Sequence, residues 1–133
     1  MVTDNATEMS NLNNRPKTIF CDIDGTLVEH ISPLETAKPG FKMKLLPGAI
    51  DKLNEWDIKG YNIILTTGRR ESARKETEKQ LAEVGIIYDQ LIMGIGGGIR
   101  HLINDTKPNS NNPTAFATVV ERNKGLKNIK EIW

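Results

Sequence analysis

Apolar residues along this chain come in short clusters, each stopped by a polar or glycine-rich break. Thr18-Ile19-Phe20-Cys21 runs into Asp22 and is cut off by acidic residues and Gly25, which predicts a buried parallel strand. From Pro47 the spacing turns helical: Ile50, Leu53 and Trp56 recur at three-residue intervals between an opening Pro47-Gly48 and a closing Gly60. Tyr61 to Leu65 is a second strand-like run ending in Thr66-Thr67-Gly68. Ala73, Thr77, Leu81 and Val84 then mark one face of a charged helix. Gln90 to Met93 leads into glycines, Arg100 to Ile103 ends at Asn104-Asp105, and Ala115 to Val120 reads as a fifth strand.

Strands alternating with helical segments predict an α/β fold, doubly wound, with a mostly parallel sheet and helices on both faces. The Pro- and Asn-rich stretch from Thr106 to Thr114 is too short for an ordinary crossover helix, so the direction of the fifth strand stays open. Residues 1–17 are mostly polar and read as a flexible leader, and residues 18–133 as one catalytic domain.

Composition narrows the classes. Eighteen Lys and Arg nearly balance seventeen Asp and Glu, and only seven aromatics are scattered along the chain, so neither a basic stripe nor an aromatic platform argues for nucleic acid. A single cysteine, Cys21, excludes an internal disulfide, and no run approaches the roughly 18 apolar residues of a membrane span. A cytoplasmic protein without membrane insertion is the expectation.

The chemistry gathers at the predicted strand ends, where α/β sheets bind ligands: Asp22, Asp24, Thr67 and Asp105 all fall there. Carboxylates spaced i, i+2 repel each other if left bare, and a hard divalent cation relieves this best. Magnesium (Mg2+) commonly takes one or two protein carboxylates, several waters and a substrate phosphate, with Asp105 as a further oxygen donor. Taken alone, Asp24-Gly25 reads equally well as a turn and Asp105 as a loop residue.

The run Ile19-Phe20-Cys21-Asp22-Ile23-Asp24-Gly25-Thr26-Leu27 resembles the first signature of the haloacid dehalogenase superfamily almost residue for residue. Ile63-Ile64-Leu65-Thr66-Thr67-Gly68-Arg69 resembles the second, and Leu102-Ile103-Asn104-Asp105 the fourth, in the same order and at similar spacing. The resemblance spans about Thr18 to Pro108. It implies a Rossmannoid fold and metal-dependent phosphoryl transfer, with Asp22 as nucleophile and Asp24 as general acid and then base. It further implies magnesium on Asp22, Asp24 (through its backbone carbonyl) and Asp105. The superfamily's dehalogenases lack the second aspartate, so Asp24 favours phosphate. Thr67, with Thr66 as rival, would hold a phosphoryl oxygen at the mouth of the following helix, together with backbone N–H groups that include Gly68.

One element of the pattern is missing. The family places a phosphate-neutralising lysine upstream of its last acidic motif, and none lies between Lys79 and Asp105. Lys107 is the first candidate in its place and Arg100 the second. Cys21 lacks the arginine-containing cradle of a cysteine phosphatase and reads as an inert strand thiol. The glycines from Gly94 to Gly98 lack the full dinucleotide fingerprint. Val28 to Leu46 leaves room for a flap and none for a large cap domain, so an open site is expected, with Lys38, Lys42 and Lys44 as loop lysines near it.

The leading expectation is a magnesium-dependent phosphatase acting on a small phosphorylated substrate. The open site admits a larger one, and a homo-oligomer is compatible with the sequence. The alternatives are a phosphotransferase of the same superfamily and a noncatalytic phosphate- or metal-binding module.

Overall fold

The computed structural model describes residues 15–130. The leader expectation for residues 1–17 therefore falls largely outside the described residues. Lys17 is within them: its carbonyl accepts from Asn62 N at 2.9 Å, and its ammonium lies 5.3 Å from the centre of the Tyr61 ring.

Three parallel strands form the sheet among the described residues: β1 (Thr18–Asp22), β2 (Asn62–Thr66) and β3 (Gln90–Ile92), in the order β1-β2-β3. The pairs Ile19↔Ile63, Cys21↔Leu65 and Leu65↔Leu91 bring apolar, largely β-branched and leucine side chains into rows across the sheet. A period of two sends these to one face, and Ile19, Cys21, Ile63, Leu65 and Leu91 are all buried.

Each parallel step needs a crossover, and the helices supply it. Helix α2 (Ala49–Ile58) joins β1 to β2 and buries Ala49, Leu53 and Trp56. Helix α3 (Arg74–Glu83), preceded by a 3₁₀ turn at Glu71–Ala73, joins β2 to β3 and buries Thr77, Gln80 and Leu81. The opposite alternation of the sheet is less covered: Phe20 is 54% and Ile92 40% exposed. They border a cleft of 2890 Å³ that Ile99, Leu102 and Phe116 also line.

Between β1 and α2 the chain forms a small arm rather than a folded domain, as its length requires. Glu29 N donates to Lys44 O at 2.8 Å and Leu46 N to Leu27 O at 2.9 Å, which zips the base of the arm. Its tip carries the one-turn helix α1 (Pro33–Thr36), capped by the Ser32 hydroxyl, with Pro33 in the first turn where its missing N–H costs nothing. Lys38 and Lys44 are paired with Glu35 and Glu29, and Lys42 is exposed, so these lysines are solvated arm residues.

Two expected strands are not formed. Arg100 to Ile103 and Ala115 to Val120 are irregular, with Ile99, Ile103 and Val119 at 100%, 85% and 95% exposure. An apolar run becomes a strand only with a ladder partner, and among the described residues these runs pair with no strand. Gly96, Gly97 and Gly98 just before the first add backbone entropy that such pairing would have to overcome.

The C-terminal segment nonetheless docks. Leu126 is in the core at 1% exposure, and the N–H groups of Leu126 and Lys127 both donate to Pro47 O, at 2.8 and 3.2 Å. Gly125 has φ +79°, and a Cβ there would run into the Pro47 carbonyl. Gly125→Ala should therefore destabilise the fold by about 2 kcal/mol, read from the urea unfolding midpoint; an unchanged midpoint would mean the segment is not docked against Pro47.

Candidate active site

The site is built at the carboxyl end of β1. The chain leaves the strand through Ile23, whose carbonyl accepts from Thr26, Leu27 and Val28 N–H groups at 2.9–3.2 Å, while Gly25 (φ +90°) donates to Val28 O at 2.7 Å. This tight turn buries Ile23 and Leu27 completely and leaves Asp22 and Asp24 facing one pocket of about 180 Å³. Gly25, Thr26, Val120 and Arg122 complete its wall.

Asp22 accepts a hydrogen bond from the Thr26 hydroxyl at 3.2 Å. Burial raises its carboxyl above the ordinary 3.8, and the charge of Asp24 adds to this; the Thr26 hydrogen bond and the Arg100 charge pull the other way. The neighbouring Cys21 thiol is pushed up to about 12 by burial and by Asp22, so it stays protonated and fits the reading of an inert thiol.

Asp24 is held quite differently. Arg69 grips its carboxylate with both edges of the fork, Nε to Oδ2 at 3.1 Å and Nη2 to Oδ1 at 2.9 Å. The Thr67 hydroxyl also donates to Asp24 Oδ2, at 3.3 Å, and accepts from Arg69 N at 3.1 Å. The guanidinium is fixed from behind, its Nη1 donating to Gln80 Oε1 at 2.8 Å and Thr77 Oγ1 at 3.4 Å. Gln80 Nε2 in turn donates to Thr36 O of the arm at 3.1 Å.

Of the residues expected from sequence, Asp22, Asp24 and Thr67 are brought together. Thr67 does not stand at a helix mouth, because α3 begins only at Arg74 after the 3₁₀ turn. Its hydroxyl is directed to Asp24, and Gly68 packs near Ile95 O, 3.0 Å from where a Cβ would stand. Asp105 is not gathered with the other two carboxylates: its side chain is 76% exposed and pairs with Lys107 at 3.6 Å. Among the described residues no three His, Cys, Asp or Glu side chains form a metal-binding group. Arg100 donates to Gly98 O at 2.6 Å, and its charge reaches Asp22.

Sequence reasoning missed the roles of Thr26, Arg69, Gln80 and Arg122. Thr26 and Arg69 lie inside the quoted signatures and were available there. Thr77 and Gln80, three apart on one helix face, form a polar patch at a position where burial would have flagged them. Arg122 carries no local signal beyond the Asn123-Lys124-Gly125 turn that follows it.

Two outcomes follow from this geometry. A carboxyl whose folded-state value is raised contributes stability below its unfolded value and loses it as pH rises through the raised value. In metal-free buffer Asp22→Asn should therefore melt above wild type at neutral pH, the gap closing as the pH falls to about 4; a lower melting point would contradict the desolvated carboxylate. Arg69→Met should cost about 2–3 kcal/mol in urea unfolding, and Arg69→Lys should not restore it, because an ammonium cannot reproduce the two-edged fork.

Residues 19–108 match the family model described as PITM 1-3, LNS2 domain. Similar solved structures include a chain of a Pnkp1/Rnl/Hen1 complex, 32% identical over 65% of this chain and 30% of that one, with a TM-score of 0.49. A chain of the Pnkp1/Rnl/Hen1 RNA repair complex is 30% identical over 72% and 28%, with a TM-score of 0.51. A crystal structure of a target from Vibrio cholerae is 18% identical over 66% and 79%, with a TM-score of 0.48. This chain thus spans less than a third of the two Pnkp1/Rnl/Hen1 chains. No curated protein matches it. Among the described residues no helix is long and apolar enough to cross a membrane.

Proposed function

The chain belongs to the PITM 1-3, LNS2 domain family, whose fold is that of haloacid dehalogenase-like phosphatases, and on that premise we propose that it hydrolyses a phosphate monoester with Asp22 as nucleophile. The observation that carries the proposal is the shared pocket of Asp22 and Asp24 at the end of β1.

Asp22 attacks phosphorus as the carboxylate, forming an aspartyl-phosphate and releasing the ester oxygen, which takes its proton from Asp24. Water then attacks the same phosphorus and gives a proton back to Asp24, freeing phosphate and regenerating Asp22. Arg69 and the Thr67 hydroxyl fix Asp24 beside Asp22, and each proton transfer requires one Asp24 oxygen to be released from the Arg69 fork. The Thr26 hydroxyl holds Asp22 by one oxygen and leaves the other to attack.

Asp22 and the backbone carbonyl of Asp24 suit the one or two protein oxygens that magnesium takes beside water and phosphate. Magnesium held by these oxygens would supply positive charge to offset that of the phosphoryl group. Asp105 would be a third donor only from a position other than its exposed pairing with Lys107.

With an arm this small beside it, the pocket admits a phosphate on a small molecule or on the end of a larger one. The similarity to a chain of an RNA repair complex makes a phosphorylated polynucleotide end one member of the substrate panel. With magnesium the purified protein should release phosphate from an aryl phosphate, and Asp22→Asn should lower the rate by at least about a thousandfold while leaving the circular dichroism spectrum intact. Turnover unchanged in that variant would remove Asp22 from the nucleophile role. Transfer of phosphate to added alcohols in place of water would mark a phosphotransferase.

A further inference from the structure

We propose that Arg122 is the anion-binding residue of the Asp22–Asp24 pocket and takes the phosphoryl group of the substrate, a role that rests on the phosphoryl-transfer reading for the identity of the anion. The pocket poses a charge problem: two carboxylates already line it, and a phosphate monoester adds further negative charge.

Among the described residues no other cation lines this pocket. Arg69 spends Nε, Nη1 and Nη2 on Asp24, Thr77 and Gln80. Lys107 is paired with Asp105; Arg100 donates one N–H to Gly98 O and its charge reaches Asp22, but neither side chain is in the pocket's wall. Arg122 lines the pocket itself, and among the described residues its side chain has neither an ion pair nor a hydrogen bond. The pocket's 180 Å³ has room for a phosphate-sized anion, since a water molecule takes about 30 Å³ of the liquid.

The backbone that carries Arg122 is also anchored to the core and to the site. Leu126 anchors its segment in the core, and Gly125 passes against Pro47 where no side chain fits. Asn123 adopts φ +64°, uncommon for a residue other than glycine, and ties the segment to the site twice. Its N–H donates to Gly25 O at 2.8 Å, and its Oδ1 accepts from His30 N at 2.8 Å. These bonds set Arg122 Cγ 3.4 Å from where a Cβ on Gly25 would stand, over the turn that carries both aspartates. An arginine lining this pocket brings a guanidinium, whose two-edged fork matches phosphate oxygens.

The test uses the whole chain, with inorganic phosphate binding by calorimetry and turnover of para-nitrophenyl phosphate, both in magnesium. Arg122→Ala should weaken phosphate binding and raise KM by at least about tenfold, with the melting temperature unchanged because the side chain is exposed. Arg122→Lys should recover part of the loss, and Lys124→Ala should behave as wild type. Phosphate affinity and KM in Arg122→Ala matching wild type would overturn the assignment while leaving the phosphatase reading intact. A wild type that turns over no phosphate ester, yet binds phosphate through Arg122, would overturn that reading and support the anion site. A wild type that binds no phosphate would overturn the site whatever its activity.

Discussion

Two carboxylates two residues apart at the end of a buried strand cannot share a pocket without compensation, and Asp22 and Asp24 receive it unequally. Asp24 has the full fork of Arg69 and a threonine hydroxyl. Asp22 has one hydroxyl and the more remote charge of Arg100, so burial prevails and its proton is held more tightly. The division follows from sheet register. Asp22 pairs with Thr66 across the parallel ladder, so the residues just past β2 emerge beside the residues just past β1, and Arg69 meets Asp24 there. One hydrogen-bonded register thus decides which aspartate is neutralised and which is left desolvated.

The same arginine extends the constraint outward. Its far edge is fixed by Thr77 and Gln80, both buried at 1% on α3, and Gln80 passes the contact on to the Thr36 carbonyl in the arm. A buried glutamine costs free energy unless both ends of its amide are satisfied, and here both are. Among the described residues no buried side-chain polar atom lacks a partner. A network with every member satisfied resists displacement of any one of them. The arm, α3 and the Asp24 carboxylate therefore form one mechanical unit, and the arm's position is tied to the orientation of Asp24.

Much of this was legible in the sequence. The runs at Thr18, Tyr61 and Gln90 are strands because short apolar stretches bounded by glycine and polar breaks also find parallel partners, and α2 and α3 follow from three- and four-residue spacing. The runs at Arg100 and Ala115 show the same local pattern but form no ladder, which depends on residues far away in the chain and leaves no local trace. Asp22, Asp24 and Thr67 could be named because their motifs are contiguous. The pairing of Arg69 with Asp24 spans 45 positions, so the sequence offered both residues and not their contact.

The missing upstream lysine takes on a different meaning once Arg122 is placed in the pocket. Neutralising a phosphoryl group requires a positive charge at a given point in space, and nothing in electrostatics ties that charge to a place in chain order. A segment arriving after the last acidic motif can supply it if the segment is anchored as firmly as a strand end. Leu126 in the core, Gly125 against Pro47 and Asn123 across the Asp24-Gly25 turn provide that anchoring without secondary structure. Recognition of the anion then depends on docking of residues 120–127, so a packing defect at Leu126, remote from the carboxylates, would weaken phosphate binding by releasing Arg122 before it disturbed Asp22.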